Sequence, residues 1–150
     1  MRGMRRMMAS AAATALLAAG GVAAASSASA GTMCKTVEGA RACASVVWPV
    51  GSDIYYGRAT ATDLDGGPNL SVAVRDIRLQ HYTGTRWVTV RSVNEYDGWF
   101  AAKDTGTTGT LKPCSYRNPV FRTVATVSWK GGQSGSTTIT SRGHIHNCPS

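Results

Sequence analysis

Four cysteines set the strongest limit on what this chain can become. Cys34, Cys43, Cys114 and Cys148 all lie beyond residue 30, after a segment that reads as an export leader. An even number of cysteines bound for an oxidising compartment points to disulfides. Of the three possible connectivities, Cys34–Cys43 with Cys114–Cys148 is favoured, because each bridge then joins sequence neighbours across a turn or hairpin. Zinc is the competing use of four cysteines. The spacings contain no C-x-x-C pair, and export argues against a metal-held core.

Cross-links matter here because the aliphatic core is thin. Between Gly31 and Ser150 there are 4 Leu, 4 Ile, 12 Val and 2 Phe, against 16 Thr. Such a composition buries little apolar area per residue, so the fold leans on its 4 tryptophans and its disulfides.

The leader has three zones. Arg2, Arg5 and Arg6 form a positive start, Ala9 to Ala25 is almost entirely small and apolar, and Ala28-Ser29-Ala30 matches the small-residue pattern that signal peptidase accepts. Residues 1–30 are therefore expected to be a removed signal peptide, and residues 31–150 a single secreted domain without a membrane span. Ala and Gly dominate the apolar zone, which argues against a retained anchor. Arg5-Arg6 raises a twin-arginine route, which the flanking Met4 and Met7-Met8 do not support.

Export also changes the charge. The whole chain carries +8, but three of its 16 basic residues sit in the leader; thirteen remain against 8 acidic, a net +5. A domain of that charge suits anionic surfaces such as cell-wall polymers or phospholipid, but its basic residues are scattered rather than clustered, which plain solubility explains. No basic–aromatic pattern marks a nucleic-acid partner.

Beyond the leader, Val, Thr, Tyr and Trp recur between closely spaced turn residues, and no long 3.6-residue period is present. Strands are expected at Ala42 to Trp48, Ile54 to Thr62, Leu70 to Tyr82, Arg86 to Val93, Phe121 to Trp129 and Ser136 to Ser141. In the third, Leu70, Val72 and Val74 share one phase, while Ile77 and Leu79 fall in the other. A period-two strand keeps both sets in a core only if it slips by one residue, so a β-bulge or bend is expected near Arg75-Asp76. The tract Asp104 to Thr110 reads as a long connection. The fold class that follows is all-β: an antiparallel immunoglobulin-like sandwich of six or seven strands, stapled by two disulfides.

Chemistry is sparse. Gly143-His144-Ile145-His146, if extended, projects both imidazoles from one face, a spacing suited to a metal, with His81 or a carboxylate as third ligand. Asp63-x-Asp65-Gly66, followed by Asn69, resembles the start of a calcium loop but lacks its late glutamate. The same residues also serve any tight turn. No G-x-S-x-G elbow is present, and Glu95 with Asp97 is a carboxylate pair of the kind that a solvated loop also carries. No catalytic residue and no cofactor site is assigned. Tyr55-Tyr56 and Trp99-Phe100 each place rings on opposite faces of an extended segment, so one of each pair is free to stack on a sugar or a protein.

The arginine- and alanine-rich leader, the four cysteines and the threonine-rich strands resemble the small exported β-rich proteins of actinomycetes, a group that implies no particular activity. Gly84-Thr85-Arg86-Trp87 is similar to a fragment of the sandwich apoproteins that carry enediyne chromophores, though the cysteine spacing differs. The two-disulfide plan also resembles that of secreted α-amylase inhibitors, but their Trp-Arg-Tyr triplet is absent. No functional residue carries over from either. The expected function is a secreted, non-enzymatic binding module whose partner is an extracellular protein or a cell-surface polymer. The alternatives are an inhibitor of an extracellular hydrolase that presents a loop held by Cys34–Cys43, and a small secreted hydrolase.

Overall fold

Alternating small and bulky residues build two antiparallel sheets. The computed structural model describes residues 27–64 and 69–149. The first sheet runs β1 (Ser27–Val37), β2 (Ala40–Pro49), β3 (Tyr56–Asp63) and β6 (Lys103–Thr107), side by side in that order. The second runs β5 (Trp87–Asn94), β4 (Leu70–Tyr82), β7 (Val120–Gly131) and β8 (Gly135–Thr140), and the short β9 (His144–Ile145) pairs with the start of β7. A single 3-10 turn at Pro113–Ser115 is the helical structure among the described residues, none of which forms a helix able to cross a membrane.

Nine strands are present among the described residues, where six or seven were expected. The additional ones are β1, β6 and β9, none of which carries an apolar alternation that a sequence pattern detects. In β6 the inward positions are Asp104 and Gly106; Asp104 is buried because its carboxylate accepts the Val74 backbone N–H at 2.6 Å. Ser27 to Ala30 of β1 pair with Val46 to Pro49, so the last residues of the expected leader take part in the sheet, while residues 1–26 lie outside the described residues. The β1 register then shifts between Ala30 and Met33. There Gly31 has a φ of 60°, and a side chain would meet the Arg142 carbonyl oxygen at 2.7 Å.

The core divides labour between the sheets. The first sheet contributes Ala40, Ala42, Ala44, Ala59 and Ala61; the second contributes Leu70, Val72, Val74, Ile77, Val127, Trp129 and Ile139. Small residues facing large ones let the layers interdigitate without voids. Strand β4 reaches this core from both phases because its pairing with β7 shifts between Val74 and Ile77, at the expected slip. A second cluster, Val46, Tyr55, Leu79, Leu111 and Phe121, closes one end of the molecule. Between the clusters the fully buried Thr123 donates its hydroxyl to the Ser45 carbonyl at 2.8 Å, tying the two sheets by a satisfied polar contact.

Both disulfides have the favoured connectivity. Cys34–Cys43 joins directly opposed residues of β1 and β2, and Cys114–Cys148 ties the 3-10 turn to the C-terminal segment.

Candidate functional site

The end of the molecule closed by the second cluster gathers most of the titratable rings. Tyr55 precedes β3 and is fixed by two backbone bonds with Leu111, at 2.7 and 2.8 Å. Its side chain is only 1% exposed, and its hydroxyl lies 2.7 Å from His146 Nδ1 and 3.0 Å from His144 Nε2. His144, in β9, and His146, just beyond it, both bring their imidazoles to this one atom. A phenol has one proton to give, so it donates to one imidazole nitrogen and accepts an N–H from the other. Trp48 stacks on the His144 ring at 4.6 Å and on Tyr55 at 5.6 Å, shielding the group.

The surroundings favour the neutral forms of Tyr55 and His144. Burial pushes the Tyr55 phenol up to about 12. Burial, reinforced by the charge His146 would carry, holds His144 below its ordinary value. His81 does not join this pair: its Nε2 donates to the Asn118 carbonyl at 2.6 Å, and its ring packs on Tyr116 and Phe121. Asp63 is buried at the end of β3, and its partner in the calcium-loop reading, Asp65, lies outside the described residues.

Glu95 and Asp97 occupy the crossing between the sheets. The Glu95 carboxyl packs against Gly106, where a side chain of any size would overlap it. Burial raises its pKa first, then the charges of Asp97 and Asp104, offset in part by a backbone hydrogen bond from Thr107. Asp104 is already engaged by the backbone N–H groups of Val74 and Thr105. Neither Glu95 nor Asp97 lines the groove on the first sheet or the smaller cavity beside Glu38, and no histidine does.

The larger cavity is a groove of about 270 Å³ on the outer face of the first sheet. Cys43, Thr60 and Thr105 form a row across three strands, Ser45 and Arg58 pair in the next row, and Thr32 and Lys103 complete the walls. Its lining among the described residues thus carries two cations and several hydroxyls and no acid. The salt bridge found among the described residues, Lys112 with Asp53, lies elsewhere. The smaller cavity, about 210 Å³, lies beside Glu38, Asn69 and Gln133.

Of the paired aromatics, Tyr55 is buried and Tyr56 half-buried, whereas Trp99 and Phe100 are both exposed. Trp99 lies between cations, 4.5 Å from the Arg75 guanidinium and 4.6 Å from the Lys130 ammonium. The Cys34–Cys43 segment is a hairpin paired up to its turn at Glu38-Gly39, and it projects no free loop. No protein-family model matches the chain, and no curated protein matches it, so the site rests on its own geometry.

Proposed function

We propose that the chain is a non-enzymatic binding module of the cell exterior, built on an immunoglobulin-like sandwich, and that its ligand is an anionic surface polymer. The observation that carries this reading is the groove on the first sheet. Arg58 and Lys103 flank hydroxyls of Thr60, Thr105 and Ser45 with no acid among the described lining residues, an arrangement complementary to repeated phosphate or carboxylate groups. The sheet beneath is rigid, with Cys34–Cys43 bridging neighbouring strands beside it, so little order is lost when a ligand lies down. Two disulfide bridges fit an oxidising exterior.

The test is titration of the oxidised protein with a poly(glycerol phosphate) chain and with neutral dextran, at low and physiological salt. The reading requires binding to the anionic polymer alone, weakened by salt. It also requires a loss of about tenfold in the Arg58→Gln, Lys103→Gln double variant, about 1.4 kcal/mol. Equal binding to dextran, or no response to the double variant, overturns it.

A further inference from the structure

A corner near the buried tyrosine carries a different chemistry. Cys114, Cys148 and His146 place one ligand atom each within 4.8 Å of one another, the one such convergence of three His, Cys, Asp or Glu residues among the described residues. Both cysteines are exposed and joined as a disulfide, and His146 is half-buried beside them. With Nδ1 of His146 engaged by the Tyr55 hydroxyl, Nε2 is the nitrogen left free.

We propose that reduction of Cys114–Cys148 turns this corner into a thiolate–imidazole site for a zinc-like divalent cation, with Cys114, Cys148 and His146 as ligands and water completing the shell. The chemistry of the donors fits such an ion: two soft sulfurs and one imidazole, with one position open. Tetrahedral coordination at about 2.3 Å holds two sulfurs about 3.8 Å apart. The Cα atoms stand 5.6 Å apart, so side-chain rotation brings the sulfurs to that spacing with little movement of the chain. Tyr55 supplies the outer support that metal-bound histidines commonly have, holding the ring through Nδ1 and leaving Nε2 for the ion. The Cys34–Cys43 bridge has no such neighbour among the described residues.

Disulfide and metal are alternative occupants of the same sulfurs. A phosphine reductant opens the bridge by attack on one sulfur. With one water the products are two thiols and the phosphine oxide; the phosphorus is oxidised by two electrons and the disulfide takes them up. A divalent cation then displaces the two thiol protons and binds both thiolates.

The experiment uses the full domain, reduced with a phosphine and titrated with Co²⁺ and then Zn²⁺. The expected result is one ion per chain with a thiolate-to-cobalt absorption band, absent from the oxidised protein. His146→Asn, which leaves the oxidised bridge intact, should weaken binding at least tenfold, and Tyr55→Phe about tenfold. Circular dichroism of each reduced variant checks whether the sheets persist. An absent band, or binding unchanged in His146→Asn and in Cys114→Ser, overturns the proposal, the second outcome assigning the ion to Cys34 and Cys43.

Discussion

The hydroxyl of Tyr55 and Nδ1 of His146 lie 2.7 Å apart, although the two residues are separated by 91 positions in the chain. That contact joins the residue before β3 to the C-terminal segment, and the His144 imidazole meets the same oxygen at 3.0 Å. Removing the oxygen therefore strips two half-buried nitrogens of a partner while leaving the ring in place. Tyr55→Phe is expected to lower unfolding free energy by about 1–3 kcal/mol, seen as a lower urea midpoint with unchanged slope. An unchanged midpoint would show that water replaces the hydroxyl at no cost.

The same group predicts a stability maximum with two flanks. His144 is held below 6.5 in the folded chain, so as pH falls through 6.5 the unfolded chain takes up a proton that the folded chain resists, and stability declines until the folded pKa is passed. On the alkaline side Tyr55 stays protonated to about 12, whereas the unfolded phenol ionises near 10. Stability then falls between those values by roughly 2–3 kcal/mol. Urea midpoints against pH should show both slopes. The acid slope should diminish in His144→Gln, and tyrosinate absorbance should show one of the 5 tyrosines titrating late.

The two disulfides should differ in worth. The loops they close span 9 and 34 residues. Chain entropy assigns about 2.5 kcal/mol to the shorter and about 4 kcal/mol to the longer. Paired Cys→Ser variants measured by thermal unfolding should rank in that order. A larger loss at Cys34–Cys43 would mean that tying β1 in place outweighs loop length.

Cleavage after Ala30 would remove Ser27 to Ala30, the residues of β1 that pair with Val46 to Pro49. A chain beginning at Gly31 should be less stable than one beginning at Ser27, by about 1–2 kcal/mol for the lost pairing. Equal unfolding midpoints would show that this stretch adds nothing, and the intact mass of the product isolated from the host would show which chain it makes.

Where the fold was legible, apolar residues reported their own position. The phase change from Val72 and Val74 to Ile77 and Leu79 gave away the slip in β4, and Phe121 to Trp129 showed its buried face as plain alternation. What escaped was held by other means. Strand β6 turns Asp104 and Gly106 inward, one satisfied by a backbone N–H and the other leaving space for Glu95, and neither leaves a hydrophobic trace. The site followed the same rule. The spacing of His144 and His146 foretold that they share a face, but nothing local marked Tyr55 as the atom they share. His81, equally plausible by type, is turned away to Asn118 by the ring of Phe121 between them. The groove arises only when β2, β3 and β6 lie side by side, and the last of these was read as a connection.

The bridge between Cys34 and Cys43 bears on how copies of the chain meet. Strand β1 is an edge of the first sheet, and edge segments are the parts that molecules trade with one another when they entangle. To be handed over, β1 must first peel from β2, and the bridge, placed between directly opposed residues, forbids that separation. The far edge, β6, is only five residues long and offers a poor template. While oxidised, each molecule is therefore obliged to complete its first sheet with its own N-terminal strand.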